Sequence, residues 1–242
     1  MEDNLKNLKI SGAGSASGGT YDEVKVSGAG EINGDIFCNY FKTSGASDVR
    51  GNVKAKVVET SGSSDIKGNI ECEEMKTSGA SDVKGDVKAK RIKISGAADI
   101  KGNLYADEVD LTGAADIKMD CEAEYFKASG RFKIGGLLNS GKIEINLGGK
   151  CKVREIGGED INVRIASDQN LISKVIKYIF IQDEELVSDV IEGDNIYLEG
   201  TTAKVVRGSN ITIGPKCSID LVEYRNELKV MEDTVVKEQK KL

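Results

Sequence analysis

The chain is predicted to be all-β: a right-handed, three-sided parallel β-helix with about 17 residues per turn. Three observations on its 242 residues predict this. A hydroxyl residue followed by glycine recurs at Ser11-Gly12, Ser27-Gly28, Ser44-Gly45, Ser61-Gly62, Ser78-Gly79, Ser95-Gly96, Thr112-Gly113 and Ser129-Gly130. After a first step that is shorter by one, every interval is the same. Apolar residues return at fixed offsets from each Ser, and short polar-apolar alternation fills the space between them. The composition is thin in bulky residues, with 28 Gly, one Pro, no Trp and no His, which suits a narrow stack better than a broad globular core.

The columns justify the strands. Five positions after the Ser stand Ile32, Val49, Ile66, Val83, Ile100, Ile117 and Ile134; nine after it stand Ile36, Val53, Ile70, Val87, Leu104 and Cys121. Small residues (Cys38, Ala55, Cys72, Ala89) follow at eleven, and Phe41, Val58, Met75, Ile92, Val109, Phe126 and Ile143 at fourteen. Alternation with period two marks strands with one buried face. A second glycine column, Gly34, Gly51, Gly68, Gly85 and Gly102, is read as bends or positive φ, and Met119 breaks it. Offsets of five, nine and fourteen do not fit the hexapeptide period of left-handed β-helices, which favours the right-handed form. Turns about 4.8 Å apart would make residues 11 to 165 a stack roughly 50 Å long.

Outward columns are equally regular. Asp48, Asp65, Asp82, Asp99 and Asp116 lie two positions before Arg50, Lys67, Lys84, Lys101 and Lys118. A calcium ladder and a solvated face of offset charges both fit an acidic column. The adjoining cations and the lack of G-G-x-G-x-D repeats favour the solvated face.

Chemistry finds little support. Five cysteines (Cys38, Cys72, Cys121, Cys151, Cys217), no C-x-x-C pair and no His argue against zinc and redox roles. Cys38 and Cys72 lie in one column two strand spacings apart, about 10 Å, too far for a disulfide. Without His the usual general base is missing, and no phosphate-binding G-x-x-x-x-G-K-[ST] loop occurs. The expectation is no enzyme activity, no metal and no cofactor. A net charge of −6 argues against nucleic acid. Met1-Glu2-Asp3-Asn4 opens neither a signal peptide nor a membrane span, so a cytoplasmic location is expected.

The array is expected to run over 1–165, followed by an apolar and acidic insertion over 166–192. Within it Leu171, Ile172, Val175, Ile176, Ile179 and Phe180 form one helical stripe, although their β-branched residues leave a strand alternative open. That stripe could cap the stack, join subunits or touch a membrane surface. Further turns are expected over 193–230, and a charged mobile tail over 231–242.

Taken together, Ser11-Gly12-Ala13-Gly14-Ser15-Ala16-Ser17-Gly18-Gly19, the S-G-A-x-D-[VI]-K-G units, and the block from Ala203-Lys204-Val205-Val206-Arg207-Gly208 through Ile213-Gly214-Pro215 to Leu221-Val222-Glu223-Tyr224 resemble the bactofilins. These are polymer-forming bacterial cytoskeletal proteins. The resemblance covers nearly the whole chain and is closest to long Gram-positive-type members. It implies a right-handed three-sided β-helix joining end to end into nonpolar filaments without nucleotide, and scaffolding roles in cell shape, envelope-enzyme placement or motility. The partner expected is the protein itself, with membrane-surface, envelope or motility proteins beside it. The alternative is a non-polymerising binding module docking a membrane or envelope-associated protein. Candidate end contacts are Leu5, Leu8, Ile10 and Ala16 on one side and Ile211, Ile213, Ile219, Leu221 and Tyr224 on the other.

Overall fold

The structure, a computed structural model, describes residues 5–166 and 184–242. It is a parallel β-solenoid of about 13 turns, and strands joined by turns and bends are its only regular elements among the described residues. The chain divides into two compact units, Met1–Cys121 and Glu122–Leu242. The stripe from Leu171 to Phe180 lies outside the described residues.

The first unit carries β1 (Leu8–Ile10), β2 (Ala13–Val26), β3 (Ala29–Thr43), β4 (Ala46–Arg50), β5 (Val53–Thr60), β6 (Ser63–Ile66), β7 (Ile70–Glu71), β8 (Glu74–Thr77), β9 (Ala80–Val83), β10 (Val87–Ile94), β11 (Ala97–Ile100), β12 (Leu104–Leu111) and β13 (Ala114–Ile117). One turn is three short segments, as in β6, β7 and β8. From β3 onward each segment pairs in parallel with its equivalent one full period on: Asp48 with Asp65, Val53 with Ile70, Val58 with Met75. The columns at offsets five, nine and fourteen are buried throughout.

Two further inward columns were not apparent from the sequence. Val26, Thr43, Thr60, Thr77, Ile94 and Leu111 form one, and Ser47, Ser64, Ser81, Ala98 and Ala115 the other, all buried. Three consecutive turns therefore place hydroxyls inside. Ser47 donates to Ser64 at 3.0 Å and shares a 3.2 Å hydrogen bond with Thr43. The hydroxyls of Thr60, Thr77 and Ser81 are buried without a partner, a local cost that apolar side chains of like shape would avoid.

The corners explain the glycines. At the Ser-Gly step, Ser44 N–H and Gly45 N–H both donate to Val26 C=O (2.9 and 3.3 Å), and Ala46 N–H donates to Gly28 C=O (2.9 Å). A Cβ on Gly79 would sit far inside van der Waals contact distance of Gly62 O. At the second corner only Gly34, at φ 110°, is left-handed. Close approach between turns, rather than the expected positive φ, demands the rest: a Cβ on Gly68 would lie 2.6 Å from both Gly51 O and Asn52 Oδ1. Those neighbours belong to an amide ladder. Asn52 N–H donates to Asp35 Oδ1 (2.7 Å), Asn69 N–H to Asn52 Oδ1 (2.8 Å), Asp86 N–H to Asn69 Oδ1 (2.8 Å) and Asn103 N–H to Asp86 Oδ1 (2.7 Å).

The second unit comprises β14 (Cys121–Ala128), whose first residue falls at the boundary, β15 (Arg131–Leu147), β16 (Lys150–Ile165), β17 (Glu185–Leu198), β18 (Thr201–Ile213), β19 (Ser218–Val230) and β20 (Val235–Lys241). Its turns vary in length. Set against the period of the first unit, the step from Ile143 to its partner Ile161 is longer, that from Ile196 to Ile211 is shorter, and that from Ser218 to Val235 is equal. The core columns hold despite this. Leu138, Ile156, Ile191, Val206 and Val222 stack in register, as do Ile143, Ile161, Ile196 and Ile211, and all are buried. Corner slack is absorbed by left-handed residues at Gly200 (φ 55°), Lys216 (φ 59°) and Asp233 (φ 59°).

The expected mobile tail is corrected. Val235–Lys241 forms β20 and pairs with β19 from Ser218 to Tyr224. Lys237 pairs with Asp220 at 2.7 Å and Lys240 with Glu223 at 3.2 Å. The charges that make the segment read as a tail are the groups that seat it on β19.

Candidate functional site

The structure places the expected end contacts unequally. Among the described residues β1 pairs with β2 alone. Leu5 is exposed, Leu8 and Ala16 are half-buried, and Ile10 is buried. These four do lie on the first turn. On the other side Ile211, Ile213 and Ile219 are buried inside the stack. Because β20 adds a further strand, Leu221 lies opposite Glu238 and Tyr224 opposite Lys241. The residues from Ile211 to Tyr224 are therefore interior to the stack and not its edge.

The outward ladders have the sequence's register. Asp65, Asp82, Asp99 and Asp116 align turn on turn, and each pairs with the lysine two positions on, at 2.9 Å for Lys84–Asp82 and 2.7 Å for Lys101–Asp99. The second carboxylate oxygens of Asp48, Asp65, Asp99 and Asp116 are buried without a hydrogen-bond partner. In the last three of these, lysine holds the solvent-facing oxygen. Among the described residues no group of three or more His, Cys, Asp or Glu is arranged to hold a metal ion.

Burial pushes the thiols of Cys38 and Cys72 up to about 12 and that of Cys217 to about 11, with nearby carboxylates adding to it; burial alone raises Cys121. Thiols so raised stay protonated near neutrality and are weak nucleophiles.

The second unit carries a feature that sequence reading missed. On the middle segment of its turns the outward residues form three columns. Asp189, Lys204, Asp220 and Lys237 make the first, with Lys204–Asp189 at 2.7 Å. Val190, Val205, Leu221 and Glu238 make the second, and Glu192, Arg207, Glu223 and Lys240 the third. Arg207 bridges Glu192 (3.2 Å) and Glu223 (2.8 Å). Arg207 first and then Lys240 hold the Glu223 carboxyl below its usual range, and Lys204 does the same for Asp189. Read by row, β17 is acidic, β18 basic, β19 acidic and β20 mainly basic. A shallow groove of about 360 Å³ adjoins this face, lined by Glu155, Val190, Glu192, Arg207 and Arg225 and floored by Gly158, Gly193 and Gly208. The signal was present as sign alternation from Asp189 through Lys204 and Asp220 to Lys237, but unequal turn lengths hide it from a fixed-period reading.

Among the described residues no helix is long and apolar enough to cross a membrane. Comparison of the chain with protein-family models, with curated proteins and with solved structures finds no match.

Proposed function

We propose that this protein is a structural scaffold that self-assembles end to end through its β-solenoid, without nucleotide. One observation carries the reading. The first turn offers a strand edge from Ile10 to Tyr21 with no charged residue and no proline, and β1 is paired on one side only among the described residues. Edge strands usually carry charge, proline or bulges that discourage further pairing; this stretch has neither charge nor proline, and its one register irregularity, between Ser17 and Gly19, leaves Ile10 to Ala16 as the open part. Its Ala13-Gly14-Ser15-Ala16 segment has no bulky side chain to obstruct another backbone. The bactofilin resemblance supports the same reading and adds a cytoplasmic setting and a role in organising cell shape, envelope enzymes or motility.

Negative-stain electron microscopy of the purified protein without nucleotide tests this, with filaments as the expected result. Ser15→Lys, which puts a charge on an exposed outward position of the open edge, should abolish them while leaving the fold intact by circular dichroism. Monomers alone at high concentration in several buffers would remove the reading.

A further inference from the structure

We infer that the striped face of the second unit is a lateral contact at which two copies of this chain pair with their solenoid axes antiparallel. The inference rests on the scaffold reading, since it concerns how assembled chains lie side by side.

The argument begins with the row pattern. From β17 to β20 the flanking charges run acidic, basic, acidic, basic, and Val190, Val205 and Leu221 form a half-buried apolar column between them. Two copies can face each other across a two-fold axis in two simple ways. If the axis runs along the stack, each row meets itself, so acid meets acid and base meets base. If it runs along the strands, row order reverses while columns are kept. Asp189 then meets Lys237, Lys204 meets Asp220, and Glu192 meets Lys240. Every row meets its opposite only because an even number of rows alternates in sign. At the centre Val205 meets Leu221. The pattern thus favours one orientation by attraction and opposes the other by repulsion.

Charge pairs within a copy do not remove this bias. Lys204, Asp220 and Lys237 keep more than half of their side-chain surface exposed, so they can bridge to a second copy. Glu223, at 10%, contributes through Arg207 rather than by direct contact. The face spans about four 4.8 Å rows and four positions along each strand, roughly 250 Å² per copy. That is far below the roughly 800 Å² per partner of a stable dimer. A single pair is therefore weak, and pairing becomes effective when many copies already lie in one filament. It should also weaken in salt, because the contacts are exposed charges.

The test is a charge swap. Lys204→Asp makes the β18 and β19 rows of the first column both acidic, and Asp220→Lys makes them both basic. Each variant alone should lose lateral pairing about tenfold, seen as single filaments by microscopy and as a smaller sedimentation coefficient. An equimolar mixture should restore it, since the reversed row of one variant then meets its complement on the other. A merely structural role for these residues would not be rescued by mixing. Either variant pairing alone as the wild type does, or a mixture of folded variants no better than its components, would overturn the inference while single filaments keep the scaffold reading alive. A wild-type chain that never assembles would overturn both.

Discussion

The two units solve one problem, stacking parallel turns, by different means. In the first, the period settles to a constant, the corners are built from Ser-Gly and Gly-Asn steps, and like residue lies on like. In the second, the step from Ile143 to Ile161 is longer than that constant and the step from Ile196 to Ile211 is shorter, yet the apolar columns remain in line. Register therefore depends on the buried columns in both units. Constant length is an added property of corners whose side chains and backbone are hydrogen-bonded from turn to turn. Where corners are free to vary, outward positions can carry an order of their own, and the alternating rows of β17 to β20 are that order.

The largest contrast should be between Gly79 and Gly141, since a Cβ on Gly193 or Gly208 of the second unit would also press on backbone, at 2.6 Å from Gly158 O and 2.5 Å from Gly193 O respectively. Gly79→Ala forces a Cβ into Gly62 O, and should destabilise by more than about 3 kcal/mol, as overpacking against rigid backbone does. Gly141→Ala in the second unit meets only Glu124 O at 3.3 Å and should cost within about 1 kcal/mol. Urea titration measures both, and similar losses would erase the distinction.

Thiol reactivity follows. Folded Cys38 and Cys72, held near 12 by burial, should alkylate at pH 8 roughly a thousandfold more slowly than an unfolded thiol of ordinary pKa. The sign is fixed: a raised thiol pKa depletes thiolate, so the rate should climb about tenfold per pH unit up to that pKa. Cys217, at about 11, is less suppressed by ionisation but more enclosed, at 3% exposure. Rapid labelling of Cys38 or Cys72 in the native protein at pH 8 would contradict this.

The amide ladders give the smallest contrast. Asn69→Ala strips Asp86 N–H of its acceptor and should cost about 1 to 2 kcal/mol, with faster hydrogen exchange at that amide. Asn210 donates side chain to side chain to Asn195 and holds no backbone amide, so Asn210→Ala should cost about 0.5 kcal/mol or less. Equal losses in denaturant midpoints would show that the first unit's corners are not special.

The strand columns at offsets five, nine and fourteen were legible because Ile, Val and Leu mark burial unambiguously. The Thr43, Thr60, Thr77 column was not, because a hydroxyl reads as outward unless its neighbours in space are known. Nothing in the sequence marks Asn52 and Asn69, since a ladder between them exists only once turns are stacked. The strand β20 was hidden by its own lysines, which look solvated until Asp220 and Glu223 stand opposite them. At the candidate sites, Leu5, Leu8, Ile10 and Ala16 were placed on the first turn. Ile211 and Ile213 are inward residues covered by Leu228 and Val230 of β19, and Ile219 is covered by Val236 of β20, so none of the three lies at an edge.

The invariant register of the first unit makes length a dial. Removing or duplicating one whole turn, such as residues 63–79, would leave every neighbouring ladder with a matching partner, because each turn presents the same corners above and below. The first unit would shorten or lengthen by one step of about 4.8 Å without altering the edge at Ile10 or the striped face.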